Sequence, residues 1–248
     1  MIPGVGTKVE QRIWKQGILT WKDFMLDFQG MDLSGPMKQD GLSAIEEAEY
    51  NIKNFNPKYF MKRMPRAEYW RMFREFNKSV AYLDIETTGA MGYDAITVVG
   101  IYDGRTYKSF VKNENLIDLQ DELLGYKMIV TYNGTNFDMP FIYEMFPVLK
   151  GRHIHIDVMY PLRRLGFRGG LKKIEENLGI TRHPNVRGMS GWDAVRLWRE
   201  YQNGKDRSLD ILLRYNYEDC RNMVPLMETA YKRLKSLTFD LHAGKPRS

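Results

Sequence analysis

The stretch from Val80 to Gly89, VAYLDIETTG, constrains this chain more than any other: an apolar run that fits a buried strand closes on two carboxylates, Asp84 and Glu86. Side chains alternate across a strand. Ala81, Leu83 and Ile85 therefore take one face, while Tyr82, Asp84 and Glu86 share the other, with the two acidic Cα atoms about 7 Å apart. Burying two like charges side by side is costly unless a cation compensates them. The strand points to half of a metal site, and the remaining ligands must come from elsewhere in the chain.

A chain of 248 residues holds one sizeable domain with a smaller addition, or two modest ones. Lys and Arg outnumber Asp and Glu by 37 to 31, and the sequence pI is near 9.2. This is a mild bias toward polyanionic partners such as nucleic acid, shared with many ordinary basic proteins. Cys220 is the only cysteine. That excludes an internal disulfide and a thiolate zinc cluster, and it fits a reducing compartment. No run of about 18 apolar residues occurs, and the N-terminus lacks the charged-then-apolar order of a signal peptide. A cytoplasmic protein with no membrane partner is expected.

In the first thirty residues, Pro3, Gly4 and Gly6 make a turn before the helical pattern of Val9, Ile13 and Trp14, and Gly17 makes another before Trp21 to Phe28. The pattern resembles a helix-hairpin-helix motif, though a plain helix opener reads the same way. Residues 41–53 carry Leu42, Ile45 and Ala48 at helical spacing. Between residues 58 and 76, Lys58, Lys62, Arg63, Arg66, Arg71 and Arg74 interleave with Tyr59, Phe60, Tyr69, Trp70, Phe73 and Phe76. A single-stranded nucleic-acid channel uses such a mixture. Rings recurring three or four apart more often pack a helix on its domain, with charges facing solvent.

Beyond the opening strand, Ala95–Tyr102 and Arg105–Val111 read as a hairpin across Asp103-Gly104, and residues 115–124 as a helix. Residues 127–132 read as a strand ending at the turn-former Asn133-Gly134, and a helix follows through Met139, Ile142, Tyr143 and Phe146. Asp138 stands where an N-cap belongs. His153 and His155 share a face of a short strand, but with neither cysteine nor a third histidine nearby they read as solvated strand residues and not as a zinc pair. PLRRLGFRGGLKK then carries Arg163, Arg164, Arg168, Lys172 and Lys173 with no acid among them. This run, with Asn133, is the expected contact with nucleic-acid phosphates; a solvated face is the alternative. Helices follow at 171–179, at 190–202 and from about 208 to 234. The last bears Leu212, Tyr215, Asn216, Asp219, Met223 and Leu226 on one face, with Pro225 expected to bend it. Asp219 thus stands on an apolar face where an unpaired charge is penalised.

In chain order, DIETTG at 84–89, YNGTNFDMPF at 132–141 and YNYED at 215–219 resemble the three motifs of the DEDDy branch of the ribonuclease-H-like exonuclease superfamily. The segments HIDVMYPLRRLGFRGGLKKIEENLGI and GWDAVRLWREY bring the chain closest to YprB-type ribonuclease-H-like proteins, from about Val80 to Leu234. The resemblance implies an α/β fold: a mixed ribonuclease-H-like sheet flanked by helices, at 80–236, behind a small helical N-terminal region at 1–79 and before a tail at 237–248. It implies Asp84, Glu86, Asp138 and Asp219 as ligands of Mg²⁺ or Mn²⁺, two ions in all, and Tyr215 as the group that positions the attacking water. The implied activity is 3′-5′ exonucleolytic hydrolysis of single-stranded DNA or RNA ends. A structure-specific endonuclease of the same fold and a nucleic-acid-binding module with little catalysis are the alternatives.

Overall fold

The computed structural model describes residues 5–90 and 92–239, except the side chains of Thr7, Tyr93 and Phe239. The chain divides into two units, Met1–Arg71 with Tyr231–Ser248, and Met72–Ala230. In the first unit lie α1 (Thr7–Lys15), α2 (Trp21–Leu26), α3 (Gly35–Lys53) and α4 (Pro57–Met61). Ile13, Ile18, Phe24, Met31 and Ile45 form its core. Pro3 and Gly4, the opening of the helix-hairpin-helix-like pattern, lie outside the described residues. Helix α3 starts earlier than its apolar spacing indicates. The Ser34 side chain accepts from the Met37 N–H, and Pro36 fits a first turn, where no backbone donor is needed. Among the interleaved basic and aromatic residues, Tyr59, Phe60, Tyr69 and Trp70 are buried, and Arg71 pairs with Glu10 at 3.0 Å. These rings pack a core, built from short helical pieces in place of one helix.

The second unit opens with α5 (Phe73–Phe76) and holds a five-stranded sheet. Its strands are β1 (Val80–Thr87), β2 (Ile96–Tyr102), β3 (Tyr107–Val111), β4 (Met128–Thr131) and β5 (Ile154–Asp157), in the order β3-β2-β1-β4-β5. β1 is central, antiparallel to β2 and parallel to β4. The near-continuous apolar run of β1 has this cause, since a central strand is covered on both faces. β2 and β3 make the expected hairpin, but the connection spans four residues: the Asp103 carboxylate accepts from the N–H groups of Arg105 and Thr106.

Helices α6 (Leu119–Leu124), α7 (Asp138–Met145), α8 (Met159–Arg164), α9 (Leu171–Asn177), α10 (Gly191–Gln202) and α11 (Asp206–Phe239) complete the described elements of regular α-helix. Ala81, Leu83 and Ile85 of β1 pack with Leu119, Leu123, Met139 and Ile142 of α6 and α7. On the other face of the sheet, Val98 and Val111 pack with Leu197 and Trp198 of α10 and Leu212 and Tyr215 of α11. The result is the mixed, helix-flanked α/β sheet that the motifs imply. Residues 237–239 continue α11, and the rest of the expected tail, from 240, lies outside the described residues. No described helix is long and apolar enough to cross a membrane.

Candidate metal centre

Asp84 and Glu86 stand opposite Gly100 and Val98 of β2, on the sheet face that α10 and α11 cover. The helical spacing of α11 turns Asp219 toward them. One carboxylate oxygen from each of Asp84, Glu86 and Asp219 lies within 4.8 Å of the other two. Asp138 does not join this group of three. At the first position of α7, its side chain makes no helix cap and instead accepts from the Ile85 N–H at 3.0 Å. Capping, the local explanation of an aspartate at this position, is therefore not what it does: Asp138 is bonded to the strand that bears the other acids.

The turn before Asp138 is built to deliver it. Asp157 at the end of β5 accepts from the N–H groups of Asn133 and Thr135 at 2.8 and 3.0 Å. Asn133 has a positive φ of 62°. A Cβ on Gly134 would fall 2.2 Å from Thr131 Oγ1, so the close approach of this turn to β4 requires glycine.

Asn216 orients Asp84. Its amide nitrogen donates to the Asp84 carboxylate at 3.0 Å and to the Asp84 carbonyl at 3.1 Å, while its oxygen accepts from the Tyr107 hydroxyl at 2.9 Å. A Cβ at Gly100 would lie 1.7 Å from that oxygen, so glycine in the middle of β2 makes room for the amide. Asp219 is held from another side. The Arg182 guanidinium donates to it and also to Glu175 by two bonds, at 2.6 and 2.7 Å, and Asn222 donates to Glu175 as well.

Electrostatics tie these acids together. Burial, and then the neighbouring charges of Asp219, Glu86 and Asp138, push the Asp84 carboxyl well above the usual range. Burial and Asp219 do the same to Glu86, whose Oε1 is buried with no hydrogen-bond partner. Burial lifts Asp138 to about 7. Asp219 is raised less freely, because Arg182 opposes its burial. Tyr215 is pushed up by burial and by Asp219, so it stands as a neutral phenol. Clustered oxygens, mutual repulsion and an orphaned carboxylate oxygen together fit a hard divalent cation.

A family model of the RNase H superfamily matches residues 81–231, more than half of the chain. The chain belongs to the RNase H superfamily. No curated protein matches it, and no solved structure does. Membership in the RNase H superfamily implies a nuclease, with nucleic acid as substrate and divalent metal ions in its chemistry.

The basic run divides into inward and outward residues. Arg163 and Arg164 occupy the exposed last turn of α8, and Arg168 donates to the carbonyls of Arg163 and Phe167. Lys173 is exposed and pairs with Glu176 at 3.3 Å. Lys172 is turned inward, with its ammonium 3.0 Å from the Tyr215 hydroxyl. The Tyr132 hydroxyl donates to the Gly169 carbonyl, tying this loop to the segment that leads to Asp138. His153 is not solvated as its sequence pattern suggests: it lies just before β5, buried, with its Nε2 donating to the Leu123 carbonyl at 2.9 Å, and it is not in the group of candidate ligands among the described residues. Glu175 and Asp157 are marked in the sequence only by falling inside segments that resemble the family, Arg182 falls between those segments, and Asn216 is marked by sharing the apolar face of the last helix with Tyr215 and Asp219.

Proposed function

We propose that this member of the RNase H superfamily is a metal-dependent 3′-5′ exonuclease of DEDDy type, closest to YprB-type proteins, acting on single-stranded ends of DNA or RNA. The observation that carries the reading is the convergence of Asp84, Glu86 and Asp219 within 4.8 Å, with Tyr215 one helical turn before Asp219. Asp84, Glu86, Asp138 and Asp219 would hold Mg²⁺ or Mn²⁺, two ions in all. Bound there, such ions lower the pKa of water and stabilise charge on the departing 3′ oxygen.

The chain's own groups supply the rest. Asn216 fixes the rotamer of Asp84, the Ile85 N–H fixes Asp138, and the Arg182–Glu175 pair fixes Asp219. Such outer contacts orient metal-binding carboxylates, and losing one typically costs about 10- to 100-fold in affinity or activity. The Tyr215 hydroxyl positions the attacking water. Arg163, Arg164, Arg168 and Lys173, with Asn133, contact the phosphate backbone, which gives binding that weakens with salt. In this reading residues 80–236 carry the catalysis, residues 1–79 form a separate helical region, and the protein works in the cytoplasm.

The test uses the purified full chain with Mg²⁺ or Mn²⁺ and labelled DNA and RNA single strands, linear with free or blocked 3′ ends, and circular. Stepwise loss from free 3′ ends, protection by blocking and survival of the circle are expected. Asp84→Asn and Asp138→Asn should abolish it. Cutting of the circle would instead identify an endonuclease of the same fold. Tight binding without products, the same in wild type and Asp84→Asn, would identify a binding module.

A further inference from the structure

Lys172 lies in the densest positive run of the chain, yet its ammonium is spent inside the site. It donates to the Tyr215 hydroxyl at 3.0 Å and to the Met189 carbonyl, and it sits 4.8 Å from the Tyr215 ring centroid. An ammonium has three N–H donors and no acceptor, whereas a phenol oxygen both donates and accepts. The bond can therefore run only one way. Lys172 donates, the Tyr215 oxygen accepts, and the single phenolic O–H must point elsewhere. The Met189 carbonyl keeps the half-buried Lys172 from swinging away, so solvent does not choose the direction of that hydrogen.

We propose that Lys172 is the positioning residue of Tyr215, locking its oxygen as an acceptor on the lysine side so that its O–H meets the attacking water as a donor. Resting on the nuclease reading above, this assigns Tyr215 the part of a hydrogen-bond donor that orients the water oxygen and keeps its own proton, and excludes it as the base that removes a proton. The water loses one proton to bulk solvent, and the resulting hydroxide keeps a lone pair for the new bond to phosphorus beside the one that accepts the Tyr215 O–H; the bond from phosphorus to the 3′ oxygen breaks, and that oxygen takes a proton from solvent. Lys172 acts through Tyr215 and not on the substrate.

A double-mutant cycle in Mg²⁺ with an end-labelled single strand tests this. Tyr215→Phe removes the donor and should lower kcat by about 100-fold. Lys172→Met frees the hydroxyl and should lower kcat by about 10- to 100-fold, as losing an outer contact of an active site does. KM should stay within about threefold in both, because the interaction belongs to the transition state. The double variant should be no slower than Tyr215→Phe alone, since neighbours acting as one unit are not additive. Lys172→Arg, which keeps a donor, should retain more activity than Lys172→Met. In the metal-free protein, Lys172→Met and Lys172→Gln should both shift the ¹³Cζ resonance of Tyr215, a readout independent of turnover.

Additive losses in the double variant, a change in KM alone, an unmoved Tyr215 resonance, or wild-type kcat in Tyr215→Phe would each overturn the proposal. An Asp84→Asn control separates the two levels. If that variant is inactive, failure of the cycle removes only the role of Lys172; if it is active, the nuclease reading itself falls.

Discussion

The Asn216 side-chain amide grips Asp84 twice, at the carboxylate and at the backbone carbonyl, across 132 positions of sequence. The second contact pins the strand and the first pins the rotamer, so α11 aligns Asp84 with Asp219 of the same helix. Asn216→Leu should therefore lower both activity and affinity for Mn²⁺ by about 10- to 100-fold, the usual effect of losing an outer contact to a metal ligand. Mn²⁺ titration followed by thermal unfolding reads the affinity separately from turnover, and unchanged affinity would argue against this role.

Gly100→Ala tests the same contact from the sheet. The new Cβ would stand 1.7 Å from the Asn216 oxygen and 2.9 Å from the Tyr107 ring, so the amide must leave its hydrogen bonds. Leaving buried polar groups unpaired should cost about 1–3 kcal/mol in denaturant unfolding. A variant as stable as wild type would show that the amide relocates freely.

Metal-free stability should fall as pH rises. Asp138 is lifted to about 7 by burial, and Asp84 and Glu86 are lifted well above the usual range, so the folded state holds protons that the unfolded chain releases near pH 4. Stability is then greatest below the unfolded pKa and is lost as pH climbs through the folded values, from about pH 4 to about pH 7 and beyond. Mg²⁺ binds the ionised acids. Its stabilising shift in Tm should accordingly be larger at pH 8 than at pH 5, and an equal shift at both would contradict the cluster's electrostatics.

Asp84→Asn should trade function for stability. Replacing one of several repelling buried carboxylates by a neutral isostere removes charge that the metal-free fold tolerates poorly. At pH 7.5 without metal, its Tm should exceed that of wild type, by about 2–4 °C for each kcal/mol relieved. The Mg²⁺-induced shift should vanish with it. A lower metal-free Tm would mean that the hydrogen bond from Asn216 outweighs the repulsion.

Arg182 and Glu175 are a buried pair, with side chains 5% and 2% exposed. Arg182→Met leaves Glu175 charged without its main partner and should cost about 3–5 kcal/mol. Adding Glu175→Leu should restore much of the stability but not the metal affinity, because Asp219 still lacks its support. Restoration of both would assign Arg182 a purely structural part.

Much of this site is legible in the sequence, because local periodicity determines it. Alternation in Val80–Thr87 places Asp84 and Glu86 on one face, and helical spacing in the last helix puts Tyr215 and Asp219 together on an otherwise apolar stripe. Those relations hold within a few residues and need no knowledge of what lies opposite. The partners of the acids are a different matter. Asp138 reads locally as a helix cap and is instead bonded to Ile85, 53 positions away. Lys172 reads as one more charge in a basic run and instead meets Tyr215, 43 positions away. Arg182 stands outside any helix or strand and pairs with Asp219 and Glu175. A side chain's local pattern says which way it points from its own backbone but not what that direction contains. The sequence by itself determined where the acids sit on their elements, and only the packing of α11 on the sheet, with α9 and the loop between α9 and α10 reaching Tyr215 and Asp219, decided which amide and guanidinium hold the acids and which ammonium meets Tyr215.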